Sequence, residues 1–382
     1  MRSSPPMTEV RRTIAEAKRV VVKIGSSSLT SSDGLLDLGR MQALVDALAR
    51  LRSAGREVVL VSSGAMAAGM RPLGLKHRPR DLAGQQAAAS VGQGLLIEKY
   101  NQLFSSHGLT IGQVLLTVDD VTRQGNYRNA LRTFTRLLEL GVIPVVNEND
   151  TVATHEIRFG DNDKLAALVA HLVSADALVL LSDVDGLYTA HPSAPDSERI
   201  INVVDVAELD VDTSKKGSQV GTGGMASKLE AARIAAAGGI PVVLAAADDL
   251  DGALEGRPVG TYFHTTGKRR ARKLLWLAYA SRSHGELVLD DGAVAAVMQR
   301  NASLLPAGVT GFRGDFHAGD PVRLVDSEGT TIARGIVNYE AADLPTIIGR
   351  TTRDLAATFG AEFERELVHR DALILKHRRA GA

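Results

Sequence analysis

The sequence predicts an α/β protein: a three-layer αβα sandwich around a mainly parallel open sheet, followed by a small C-terminal β-barrel. Three observations carry that expectation. Aliphatic runs alternate with helical apolar spacing between residues 20 and 245, as when strands are joined through helices into one parallel sheet with helices on both faces. From Gly285 the pattern shortens to segments of alternating apolar and polar residues separated by Gly and Asp, which reads as a small barrel. The chain has 382 residues, 45% of them hydrophobic, which allows one large and one small domain with a sizeable core. The boundaries expected are 1–267 for the first domain, 268–280 for a basic linker and 281–382 for the barrel with its tail.

Composition narrows the function classes. With no cysteine there is no thiolate nucleophile, disulfide framework or Cys-ligated metal. The formal net charge is zero, which argues against a general polyanion binder. No apolar stretch marks a signal peptide, and no run of about 18 apolar residues marks a membrane span. The expectation is a soluble, cytoplasmic protein without a membrane partner.

Taken in order, residues 20–24 form a β-branched strand interrupted by Lys23 and followed by Gly25 and three serines. A lysine inside an apolar strand is costly unless its ammonium meets an anion, and glycine with small hydroxyls lets backbone N–H groups approach phosphate. A lysine that snorkels to water is the alternative. Residues 38–54 have helical spacing and stop at Gly55. The strand 57–61 runs into Ser62-Ser63-Gly64-Ala65, a small-residue turn in which Ser63 can bind a carboxylate or phosphate, or merely cap a helix. Gly64 and Gly69 have P-loop spacing, but Met70-Arg71 stands where Lys-Ser/Thr is required, so that motif is rejected.

A long Ala-rich helix at 85–104, a strand at 112–117 and a helix at 126–140 follow. The strand 142–146 delivers the most distinctive stretch of the chain, Asn147-Glu148-Asn149-Asp150, and a hairpin over 151–159 is expected to return Gly160-Asp161-Asn162-Asp163 beside it. Polar clusters at the C-terminal ends of strands are where open α/β sheets hold ligands. Asn, Asp and Gly are also ordinary turn residues. The helix 165–173 and the strand 177–181 come next, the latter ending in Ser182-Asp183. Residues 192–218 read as an irregular surface excursion. Gly221-Thr222-Gly223-Gly224-Met225-Ala226-Ser227-Lys228 then opens a helix running to 237, combining backbone donors, a helix dipole and a mobile cation suited to a triphosphate. The strand 241–245 is expected to close the sheet. In the barrel the expected strands are 286–289, 321–325 and 331–334, with a helix and a closing strand between 340 and 375.

These motifs together resemble the glutamate 5-kinase family of the amino-acid kinase superfamily, with a C-terminal PUA-like domain. The residues that carry the resemblance are Val22-Lys23-Ile24-Gly25-Ser26, Ser62-Ser63-Gly64-Ala65, the two Asn/Asp clusters, and residues 221–228. Ser182-Asp183 stands where Thr-Asp is often found. The resemblance implies transfer of the γ-phosphoryl of ATP to the side-chain carboxylate of L-glutamate, at the start of proline synthesis and commonly under proline feedback. It implies Lys23 and Lys228 flanking the transferred group, with Asp163 orienting them. Ser63, Asp150 and Asn162 bind glutamate, and Asn147 lines that pocket. Lys23, Gly25, Ser182, Asp183 and the loop Thr222, Gly223, Gly224, Met225, Ala226, Ser227 and Lys228 hold the nucleotide, with Mg²⁺ carried by ATP rather than ligated by the protein. A homo-oligomer, dimer or tetramer, is also expected.

Two rival readings remain. One is a kinase for another carboxylate or carbamate; Asp150, placed to meet an ammonium, favours a free amino acid over an acetylated one. The other is an RNA-binding module centred on the barrel. Residues 284–340 set Arg300, Arg313, Arg323 and Arg334 against eight acids, a poor phosphate footprint.

Overall fold

The computed structural model describes residues 11–31, 35–117, 120–121, 124–152, 162–190, 194, 196–206, 209, 224–266, 283–300, 302–360 and 363–375. They fall into two units, Met1–Asp120 with Arg128–Arg270, and Val121–Tyr127 with Ala271–Ala382. The expected hairpin at 151–159, the loop residues 219–223 and the linker lie largely or wholly outside the described residues.

In the first unit the aliphatic runs become strands β1 (Arg19–Ile24), β2 (Glu57–Val61), β3 (Ile111–Leu116), β4 (Ile143–Glu148) and β5 (Ala177–Ser182). The short strands β6 (Leu187–Tyr188), β7 (Arg199–Ile200) and β8 (Asn202–Val203) precede β9 (Val242–Ala246) and β10 (Thr261–Phe263). Eight of these form one sheet in the order β3-β4-β2-β1-β5-β9-β10-β8. Every pair from β3 to β9 is parallel. The chain departs to opposite sides of β1, first to β2 and later to β5, so β1 lies at a topological switch point, where such sheets open a crevice.

The sheet does not close at β9, as its sequence pattern suggests. The chain turns back through Gly260 at φ 63°, and β10 pairs antiparallel with β9 while β8 pairs parallel with β10. A Cβ at Gly260 would stand 2.0 Å from the Leu244 carbonyl oxygen, so this reversal needs glycine. The strands β7 and β8 lie inside the stretch that reads as irregular; two residues are too few to show a period.

Side-chain parity explains the layers. Val20, Val22 and Ile24 share a core with Leu44 and Leu48 of the Leu38–Ser53 helix and Leu96 and Tyr100 of the Leu82–Ser105 helix. Alternate strand residues face opposite sides, so Val21 and Lys23 face the other layer. That layer includes the Asn162–Leu172 and Met225–Ala237 helices, which carry Asp163 and Lys228.

The second unit has its own core, including Leu287, Leu289, Leu324, Leu344 and Leu355. Its strands β11 (Gly285–Leu289), β12 (Val309–Gly314), β13 (Pro321–Val325), β14 (Thr331–Val337) and β15 (Val368–Leu375) form a mixed sheet in the order β12-β11-β13-β14-β15. The expected helix and closing strand of the tail are present as Thr352–Phe359 and β15. Two further elements are not expected from the sequence: β12, whose Gly311 and Gly314 interrupt its alternation, and the helix Asp291–Arg300.

Candidate active site

Lys23 is the next-to-last residue of strand β1, and its ammonium pairs with Asp163 Oδ1; the two side chains are 2% and 0% exposed. The other carboxylate oxygen, Asp163 Oδ2, lies 3.1 Å from Lys228 Nζ and 3.1 Å from Ser227 Oγ. One buried carboxylate therefore holds two buried ammoniums supplied by β1 and the Met225–Ala237 helix. Two ammoniums buried side by side suit an arriving anion, because charge is weakly screened away from water.

Gly25 immediately follows β1. Its N–H is donated to the Leu181 carbonyl at 3.3 Å, prolonging the β1–β5 ladder. What Gly25 leaves is room, since a Cβ there would lie 3.7 Å from Lys23 Nζ, over the ammonium. Ser182 ends β5 and donates its hydroxyl to Asp183 Oδ1 at 3.0 Å. Gly224 is the extended residue preceding the Met225–Ala237 helix, and its carbonyl lies 2.8 Å from Ser227 Oγ. Thr222 and Gly223 fall outside the described residues.

A second polar cluster adjoins the triad, because Asn162 precedes Asp163 in the same first helical turn. Asn162 Nδ2 lies 2.7 Å from the Ser62 carbonyl, 3.1 Å from Ser63 Oγ and 2.9 Å from Asn147 Oδ1. Asn147, at 2% exposure, also accepts from the Glu148 N–H at 2.9 Å and donates to Gln93 Oε1 at 2.7 Å. Ser63, Asn147 and Asn162 thus meet in one hydrogen-bonded group. Asp150 lies in the turn after β4 and is partly buried.

The scaffold under this cluster was not visible in the sequence. Gly69 and Gly92 bring the Ala65–Met70 and Leu82–Ser105 helices into backbone contact: a Cβ on Gly92 would lie 1.7 Å from the Ala65 carbonyl oxygen, and one on Gly69 would lie 1.8 Å from that of Ala88. Gly64, at φ 96°, makes the turn from β2 into the first of these helices. Ser62 and Tyr100 lie buried with their hydroxyls 2.9 Å apart, and burial raises the Tyr100 phenol above its ordinary pKa, keeping it neutral. Gln93 and Tyr100 carry no sequence signal beyond the period of their helix.

With this geometry in view, the comparisons with known proteins define the class. The profile described as "Amino acid kinase family" matches residues 18–246, and that described as "PUA domain" matches residues 285–358. The chain belongs to the amino acid kinase family. Curated relatives narrow this further: a glutamate 5-kinase of Streptomyces coelicolor is 60% identical over 373 residues, covering 97% of this chain and 100% of the relative. A glutamate 5-kinase of Salinispora arenicola is 60% identical over 368 residues, covering 96% and 100%. A solved carbamate kinase from Giardia lamblia, bound to AMP-PNP, shares the fold at TM-score 0.50 and 16% identity, covering 66% of this chain and 99% of that one.

Proposed function

We propose that the chain transfers the γ-phosphoryl group of ATP to the side-chain carboxylate of L-glutamate, giving γ-glutamyl phosphate, the first step of proline biosynthesis. The observation that carries this reading is the Lys23–Asp163–Lys228 triad beside the Ser63–Asn162–Asn147 cluster. The full-length relatives supply the choice of glutamate.

Phosphoryl transfer depends on positioning and charge neutralisation more than on covalent help. Lys23 and Lys228 neutralise charge on the transferred group, and Asp163 fixes both ammoniums. The acceptor carboxylate is already ionised at neutral pH, so no general base is required. Gly25, Ser182, Asp183 and residues 222–228 form the nucleotide side. Ser63, Asn147, Asp150 and Asn162 form the amino-acid side, with Asp150 meeting the substrate ammonium. Asp163 is committed to two lysines, a donor set that suits Mg²⁺ held by the phosphates rather than by this carboxylate. When bound there, Mg²⁺ supplies further neutralisation of phosphate charge.

Several finer assignments belong to the same proposal. Proline shares the ammonium and α-carboxylate of glutamate, so it enters the same pocket and its inhibition weakens as glutamate rises. Inhibition indifferent to glutamate contradicts this. The protein works in the cytoplasm as a homo-oligomer, a dimer or tetramer. Among the described residues, no helix is long and apolar enough to cross a membrane. The catalytic domain spans 1–267, the linker 268–280 and the PUA-like domain 281–382.

Trapping the product tests the reaction. An acyl phosphate is attacked by hydroxylamine to give a hydroxamate, so γ-glutamyl hydroxamate should accumulate when enzyme, ATP and glutamate are all present. ADP release without hydroxamate contradicts carboxylate phosphorylation.

A further inference from the structure

We infer that Gln93 is a positioning residue for the amino-acid substrate, acting through Asn147 to fix which atoms of Asn162 and Ser63 face the ligand. The inference rests on the proposed amino-acid pocket and adds a residue to it. The chain of hydrogen bonds has a direction set by the backbone. The Ser62 carbonyl can only accept, so the group Asn162 turns toward it at 2.7 Å must be its amide nitrogen. The Glu148 N–H can only donate, so the Asn147 atom 2.9 Å from it must be Oδ1. That same oxygen accepts from Asn162 Nδ2, which leaves Asn147 Nδ2 directed at residue 93. Gln93 meets it with Oε1 at 2.7 Å.

Two consequences follow for the ligand. The two hydrogens of Asn162 Nδ2 are shared among the Ser62 carbonyl, Ser63 Oγ and Asn147 Oδ1, so the end of Asn162 left for a substrate is Oδ1, an acceptor. An acceptor suits the substrate ammonium. Ser63 Oγ already accepts from Asn162 and keeps its own hydrogen to donate, which suits a substrate carboxylate oxygen. The pocket thus has a polarity: acceptor at Asn162, donor at Ser63. Gln93 closes this arrangement from the Leu82–Ser105 helix, which the Gly69–Gly92 contact holds against the Ala65–Met70 helix. Without an acceptor at position 93, the buried Asn147 amide is left with an unmet donor and rotates to find one, releasing Asn162.

The test compares Gln93→Met, which keeps length and loses the acceptor, with Gln93→Glu, which keeps an acceptor in the same place. Steady-state kinetics of the full chain are measured with L-glutamate and ATP varied separately, with thermal midpoints recorded alongside. In Gln93→Met the KM for glutamate should rise about tenfold, the effect of one hydrogen bond lost from a buried network, with kcat and the KM for ATP little changed. In Gln93→Glu it should stay within about twofold of the parent, within the spread of a conserved hydrogen bond. An unchanged glutamate KM in Gln93→Met overturns the inference. So does an equal rise in both variants, which would make residue 93 a matter of shape. If Gln93→Met does not fold, a Gln93→Glu variant with a raised glutamate KM is sufficient to overturn it. Failure of the parent chain to phosphorylate glutamate would instead overturn the proposed function, and the parent assay separates the two.

Discussion

At the scale of single residues, Asp163 and the two lysines it holds are not equivalent. Lys228→Met removes charge stabilisation felt most in the transition state, so turnover should fall by about 10²-fold or more at saturating ATP. Lys23→Met should lose as much. Asp163→Asn leaves two buried ammoniums without their carboxylate, and a cost of roughly 3–5 kcal/mol is expected from denaturant unfolding. A Lys23→Met enzyme with near-parent turnover removes that lysine from the mechanism; an Asp163→Asn protein of parent stability removes the electrostatic account of the triad. Asp150→Asn should weaken glutamate binding and leave the KM for ATP nearly unmoved. Loss of ATP affinity instead would exchange the two halves of the site.

At the scale of elements, the triad depends on how the Asn162–Leu172 and Met225–Ala237 helices pack. His171, near the end of the first helix, donates Nε2–H to the Ile234 carbonyl of the second at 2.8 Å and is buried. Its ring fills the space beside Gly238, where a Cβ would lie 1.9 Å from Cε1. Burial lowers the His171 pKa below its ordinary 6.5, with the Ile234 bond opposing in part. The unfolded chain therefore takes up a proton first. The His171 contribution is fully present above pH 6.5 and is lost as pH falls below it toward the folded pKa. Unfolding free energy should drop between pH 7.5 and 5.5, and His171→Gln should flatten part of that drop; an unchanged slope contradicts the assignment. On the other layer, Gly92→Ala drives a methyl into the Ala65 carbonyl and should cost about 2 kcal/mol or more, raising the glutamate KM as Ser63 shifts. These contacts explain the limits of the sequence reading. Lys23, Lys228 and the Asn/Asp clusters were legible because polar groups beside aliphatic strands are conspicuous. Gly92 and Gln93 were not, because their roles depend on which helix crosses which.

At the scale of the whole molecule, the order of the large sheet was only partly legible. Parallel strands with crossover helices follow from alternating periods, but β10 and β8 are too short to announce themselves, and only the turn at Gly260 explains their addition. Every residue placed in phosphoryl transfer lies between Lys23 and Lys228, and the second unit has its own apolar core. A chain ending near Ala280 should therefore stay soluble and transfer phosphate. A shortened protein that binds both ligands but has lost turnover would give the C-terminal unit a part in the chemistry. The claim that joins all three scales is that the crevice at β1 phosphorylates the side-chain carboxylate of a free amino acid. The most direct measurement is ADP release with L-glutamate, L-aspartate, N-acetylglutamate and carbamate compared under the same conditions. The account predicts turnover with L-glutamate well above the other three, because only it offers an ammonium to Asp150 together with a carboxylate at the right reach. Preferred turnover of N-acetylglutamate or carbamate would contradict it.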